Sequence, residues 1–255
     1  MDLGIAGRGA IVCASSKGLG RACAMELARA GARVVVNGRN AAQAEDTAAD
    51  IRAATGAEVT VVPGDLNDPA VLEALIDACP APDILVNNNG GPPPKAFDDL
   101  TREDILAGIE ANMLTPIALI QRVAPGMASR KFGRIINITS ASVRAPIARL
   151  DVSSGARAGL TAFLASSARR FARDNVTINS IQPGLFDTDR VKGVFGSHPD
   201  GPEAGRAARA ATIPAGRIGT PEEFGKLCAF LASAHAGYIA GQNILIDGGA
   251  FPGAF

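Results

Sequence analysis

The chain of 255 residues is 47% hydrophobic and carries 25 basic and 25 acidic side chains, so its formal net charge is zero. That length can bury a sizeable core, and one domain spanning residues 1–255 is expected. Neutral charge, few aromatics and no basic block exclude nucleic acid and an anionic membrane as main partners, which leaves a small-molecule substrate. No apolar run approaches the ~18 residues of a membrane span.

Short β-branched runs alternate with longer Ala- and Leu-rich stretches, the pattern of repeated βαβ units around a parallel sheet. Strands are predicted at Ala10–Ala14, Arg33–Asn37, Glu58–Pro63, Ile84–Asn87, Arg134–Thr139, Thr177–Gln182 and Asn243–Asp247. Helices are predicted to begin near Gly18, Asn40, Asp68, Thr101, Ser153, Pro202 and Pro221. Asp104 follows Thr101 by three residues, close to a capping box. Leu185–Pro214, rich in Gly, Pro and charge, follows a strand's carboxyl end and is a candidate substrate lid, or else a variable surface loop. Cys13, Cys23, Cys79 and Cys228 lack CxxC or metal-ligand spacing, so they read as reduced packing residues of a cytoplasmic protein. His198 and His235 are too isolated to propose a metal.

The first strand runs into Cys13-Ala-Ser-Ser-Lys-Gly-Leu-Gly20, which opens the first helix. Glycines there remove the Cβ barrier, and a helix N-terminus presents unpaired N–H groups to a phosphate. Such a loop alone is a weak motif. The second strand ends Val36-Asn-Gly-Arg39 without the acidic residue that would hold a ribose 2′-OH and repel a 2′-phosphate. Lys17 and Arg39 are two cations suited to that phosphate, which points to NADP. The alternative for Arg39 is a solvated surface residue.

The wider set of motifs resembles the short-chain dehydrogenase/reductase superfamily, and its β-ketoacyl carrier-protein reductases in overall sequence. Gly18 and Gly20 match the second and third glycines of a TGxxxGxG loop; Ala14 stands in place of the first and Cys13 in place of the threonine. Asn87-Asn-Asn-Gly90 is similar to NNAG, Gly64-Asp65-Leu66 to the segment that touches adenine, and Pro183-Gly184 with Thr188 to the PGxxxT loop that closes on nicotinamide. Asn243–Gly249 is similar to the family's terminal VDGG strand. The resemblance implies a Rossmann-type, doubly wound α/β sheet of about seven strands with helices on both faces. It also implies a cofactor site made of Ala14, Ser16, Lys17, Gly18, Leu19, Gly20, Arg39, Asp65, Leu66, Asn88, Asn89, Gly90, Arg157, Pro183, Gly184 and Thr188.

Residues 133–163 are similar to the family's active-site stretch, where a strand ending in serine precedes a helix bearing Tyr-x-x-x-Lys. Ser140 fits that serine. Counting on places Ser153 at the tyrosine and Arg157 at the lysine, and the chain's single tyrosine, Tyr238, lies far away in sequence. Asn112, in Glu110-Ala-Asn-Met-Leu-Thr, fits the asparagine of a water-linked proton relay. Pro116 deprives its carbonyl of the usual helical donor, which suits either a relay site or a packing kink.

Serine is a far weaker acid than a phenol and is shorter, so Ser153 does not replace the tyrosine. Arg157 stays protonated and offers five donors for a ribose or a developing oxyanion. Arg144 and Arg149 face either an anionic, acyl-type substrate or water. The expected function is NADP-dependent carbonyl reduction or alcohol oxidation, using Asn112, Ser140 and Arg157 with water or His198 as proton source. A cofactor-binding protein without reductase activity and a non-redox lyase or isomerase are the alternatives. The helices at Thr101 and Ser153, with the apolar end Ala250–Phe255, predict a homotetramer or homodimer.

Overall fold

The computed structural model describes residues 1–195 and 198–253. Gly196 and Ser197 of the predicted lid, and Ala254 and Phe255 of the apolar end, lie outside the described residues. Seven strands form one sheet: β1 (Gly9–Val12), β2 (Arg33–Gly38), β3 (Val59–Pro63), β4 (Ile84–Asn87), β5 (Gly133–Ile138), β6 (Val176–Pro183) and β7 (Asn243–Ile246). Every pairing is parallel, in the order β3-β2-β1-β4-β5-β6-β7. This is the expected doubly wound Rossmann-type sheet. The order reverses between β1 and β4, and ligands of such sheets bind outside the strands' carboxyl ends at that reversal.

The central strands β1, β4 and β5 are buried throughout, as parallel strands covered on both faces must be. Successive side chains point to opposite faces, so neighbours on one strand feed two cores. Val12 packs with Leu27, Ile51 and Phe224 beneath α1 (Gly18–Arg29), α2 (Ala41–Thr55) and α9 (Pro221–Ala232). Ile11 packs with Leu75, Met127 and Leu164 beneath α3 (Pro69–Ala78), α5 (Thr115–Ser129) and α6 (Asp151–Ala172). No helix among the described residues is long and apolar enough to cross a membrane.

Three departures from the sequence reading bear on the site. β1 stops at Val12 rather than Ala14, because Ala14 turns to a φ of +43°, which a strand cannot continue. The helix expected from Thr101 is interrupted: α4 (Arg102–Ile109) passes through a π turn at Glu110–Leu114 into α5. Pro116 supplies no N–H to the Asn112 carbonyl, and the wider turn falls where that bond is missing. Thr101 and Asp104 do form a complete capping box.

The predicted lid, finally, holds two helices, α7 (Asp189–Phe195) and α8 (Pro202–Ala211), of which only the second was expected. Phe195, Ile213 and Ile218 give this segment a small core of its own.

Candidate active site

The glycine loop is set by backbone geometry. Ala14 takes a left-handed conformation that costs an L-residue roughly 1–2 kcal/mol. It is held there from both sides: its N–H donates to Asn37 Oδ1 at 3.0 Å, and its carbonyl accepts from Asn88 Nδ2 at 3.1 Å. The alanine therefore preserves the turn that a glycine would make without strain. A Cβ on Gly20 would lie 2.4 Å from the Ala14 carbonyl oxygen, so close packing of helix on loop demands glycine there.

Lys17 caps α1 with extended backbone and no side-chain bond, so no capping side chain occupies the first-turn N–H groups. A Cβ built on Gly18 would lie 3.6 Å from Thr188 Cγ2, which brings the start of the lid segment near the loop. These features fit a dinucleotide phosphate at the helix terminus. Gly38 ends β2 against Ser16, since a Cβ there would meet Ser16 Oγ at 2.5 Å, and Arg39 and Lys17 stand exposed at this edge. Asp65 is exposed and its Oδ1 accepts the Asn67 N–H at 2.9 Å, whereas Leu66 is a buried core residue. Gly184 packs on the terminal strand's Asp247, where a Cβ would find Asp247 Cβ at 2.6 Å.

Across the switch point, the loop after β4 meets α6. Asn87, Asn88, Asn89, Asn112, Pro116, Asn137, Arg157 and Leu160 line a cleft of about 220 Å3. Asn89 Nδ2 donates to the Ala111 carbonyl at 3.1 Å, and Asn112 Nδ2 points to the Gly90 carbonyl at 3.5 Å. The π turn thus stands against the loop through two amides. Asn87 Nδ2 donates to Asn137 Oδ1 at 2.9 Å, which leaves the buried Asn87 Oδ1 without a partner.

Ser153 and Arg157 lie one turn apart on α6, both buried, and the Arg157 Nη1 donates to Ser153 Oγ. Arg157 Nη2 donates to the Asn89 carbonyl at 3.2 Å. Burial, and then the nearby Arg190 charge, hold the Arg157 pKa down to about 10, so it remains cationic at neutral pH. Ser153 also lines a second cleft of about 310 Å3 with Pro92, Pro93, Lys95, Leu100, Asp104, Arg149, Leu150 and Val152. Ser140 follows β5, and its Oγ accepts the Ser142 N–H at 3.1 Å, so its own hydrogen is left to donate.

Arg144 corrects one expectation, for it faces neither substrate nor open water. Its Nε donates to Gln182 Oε1 and its Nη2 to the Asn243 carbonyl, both at 2.8 Å, tying the loop after β5 to β6 and β7. His198 accepts the Asp200 N–H at 3.2 Å in a local turn. Tyr238 is fully exposed beyond α9. Among the described residues no group of His, Cys, Asp and Glu could hold a metal.

A family model described as enoyl-(acyl carrier protein) reductase matches residues 13–250. The NADPH-dependent reductase BacG of Bacillus subtilis is 34% identical over 95% of this chain and 97% of its own length. The chain belongs to the short-chain dehydrogenase/reductase superfamily. The 3-oxoacyl-[acyl-carrier-protein] reductase FabG of Pseudomonas aeruginosa is 32% identical over 98% of this chain and 99% of its own. The crystal structure of L-sorbose reductase from Gluconobacter frateurii, complexed with NADPH and L-sorbose, superposes with a TM-score of 0.94 at 27% identity, covering 99% of this chain and 100% of that one.

Within this superfamily fold, the sequence reading missed Arg190. It stands exposed at the start of α7, and its Nη1 and Nη2 reach the carbonyls of Gly91 and Pro92 at 3.4 Å. A Cβ on Gly91 would meet Arg190 Nη2 at 2.9 Å and Arg157 Nη1 at 3.3 Å, so two guanidiniums flank one glycine. No spacing rule joins residues 99 apart in the chain; only the fold brings them together.

Proposed function

We propose that this chain is an NADP-dependent carbonyl reductase of an atypical kind, which works without the Tyr and Lys pair of its superfamily. The observation that carries this reading is the bonded Ser153–Arg157 pair, buried beside two clefts where the resemblance places tyrosine and lysine. When bound, NADPH would supply the hydride for a carbonyl carbon, and a proton on oxygen would complete the alcohol. Ala14, Ser16, Lys17, Gly18, Leu19 and Gly20 would cradle its diphosphate, with Arg39 and Lys17 toward the 2′-phosphate. Asp65, Leu66, Asn88, Asn89, Gly90, Pro183, Gly184 and Thr188 would complete the binding surface.

Ser140 donates its hydroxyl hydrogen to the substrate oxygen and fixes its direction. Arg157, permanently charged, stabilises the negative charge that grows on that oxygen. The proton comes through water in the cleft beside Asn112, so that Arg157 keeps its own proton, and with it the charge that faces the oxyanion. Acyl-type ketones are the substrates to try first. The chain works as one catalytic domain, residues 1–255, with 185–214 as its lid. It assembles as a homodimer or homotetramer, supported by exposed Ile105 and Leu106 on α4 and Phe163 on α6. Its cysteines are free and buried, which suits the cytoplasm.

One observation favours a cofactor-binding protein without reductase activity as the second reading. The carboxylic acid lining the larger cleft, Asp104, is held down to about 2 by the bond from Lys95 and then by the Thr101 N–H, so it is ionised at neutral pH. Fluorescence titration with NADPH, followed by its absorbance decay with a broad ketone panel, separates the two. Binding with turnover supports the reductase; binding without turnover on any ketone supports the second reading.

A further inference from the structure

We infer that Arg157 and Arg190 together hold a carboxylate, and that the substrate of this chain is a carbonyl compound bearing one. The inference rests on the reductase reading and names its substrate class. Of the five N–H donors of a guanidinium, Arg157 uses one on Ser153 Oγ and one on the Asn89 carbonyl, although it is only 8% exposed. Among the described residues Arg190 finds only the carbonyls of Gly91 and Pro92, at the limit of bonding distance. Among the described residues neither guanidinium meets a carboxylate. A buried cation with unused donors beside a second cation is costly unless an anion completes it.

The geometry suits a carboxylate in particular. Two guanidinium forks can each present paired donors, and a carboxylate has lone pairs for both. They converge over Gly91, whose missing side chain leaves both guanidiniums close to the backbone. The site also adjoins a surface cleft. Ser153, bonded to Arg157, and Pro92, whose carbonyl meets Arg190, both line the cleft of about 310 Å3. Pro93, Leu100, Leu150 and Val152 give that cleft apolar walls. Its Lys95 and Asp104 neutralise one another at 2.5 Å. Arg149, in the same lining, meets no carboxylate among the described residues, so the cleft as well as its arginine end is left cationic.

The test is calorimetry on the protein saturated with NADPH, titrated with phenylpyruvate and with phenylacetone, which share the ketone and ring and differ in the carboxylate. Phenylpyruvate should bind at least about tenfold tighter, as expected for a charge-assisted pair. Arg190→Gln, at an exposed position that tolerates change, should remove most of that preference while phenylacetone and NADPH bind as before. The preference should stay flat between about pH 6 and 8, because Arg157, held down to about 10, keeps its charge there. Equal affinities for the two ketones would overturn the inference, as would a preference that survives Arg190→Gln. So would release of NADPH by phenylpyruvate, which would assign the arginines to the cofactor's phosphates. A carboxylate preference without oxidation of NADPH would support the anion site while overturning the reductase reading, because calorimetry needs no turnover.

Discussion

Among the described residues two arginines are buried, at opposite ends of the same strand-and-helix unit, and they are treated differently. Arg134 starts β5 at 1% exposure, with Phe132 beneath its guanidinium plane at 4.3 Å. It donates to the carbonyls of Ser233, Gly133 and Asn175 and to Asn175 Oδ1, at 2.8–3.2 Å. Arg157, at the carboxyl side of the sheet, makes only two bonds; each of the two arginines has another cation beside it, Arg8 near Arg134 and Arg190 near Arg157. Burial pushes both pKa values down to about 10. Arg134 is thus a satisfied structural cation whose partners are all protein. Arg157 is charge held ready for something the protein itself does not supply.

That contrast predicts opposite trade-offs. Arg134→Ala should cost at least about 3 kcal/mol of stability, since it strands several buried acceptors and empties the face of Phe132. Thermal or urea unfolding measures it, and a loss below about 1 kcal/mol would break the comparison. Arg157→Met should leave stability within about 1 kcal/mol of the unmodified protein, or raise it, because an under-bonded buried charge is replaced by an apolar chain. Its turnover should nevertheless fall by more than about tenfold. A variant that unfolds while the residual folded fraction keeps full turnover would make Arg157 a second Arg134.

Arg39 extends the comparison to an exposed guanidinium, where protein contacts contribute little and a ligand decides its role. Arg39→Asp should leave stability unchanged and shift the NADPH-to-NADH affinity ratio by about tenfold toward NADH, the attraction for a 2′-phosphate becoming repulsion. Fluorescence titration with both cofactors checks it; equal affinities in the unmodified protein would remove the basis for NADP preference. The smallest effect is expected at Ser153→Ala, which removes one acceptor from Arg157 and no acid. Turnover should change by less than about fivefold, under about 1 kcal/mol. A complete loss of activity would mean that the serine has a chemical role.

The fold was legible because β-branched runs and Ala-rich stretches alternate strongly enough to place all seven strands; ends shift by a residue in several, and by two at the end of β1, where the φ of Ala14 intervenes. Ala14 shows the limit: nothing in its identity announces a left-handed turn, which bonds from Asn37 and Asn88 impose. The glycine loop could be read because glycine spacing encodes backbone geometry directly. Ser153 and Arg157 were legible as positions, through the four-residue spacing on one helical face. Arg190 was not, since its partner carbonyls come from a loop on another strand. Arg144, by contrast, looked free in the sequence and is bound to β6 and β7.

The central claim is that hydride reaches a carbonyl in a site whose charged helper is Arg157. It is tested most directly by single-turnover transfer of deuterium from NADPH labelled at the nicotinamide C4 to a ketone, in the unmodified protein and in Arg157→Ala. The account predicts a deuterated alcohol from the unmodified protein and a rate lower by more than about tenfold in the variant. NADPH bound with no deuterium in any product, or an unchanged rate in Arg157→Ala, would contradict it.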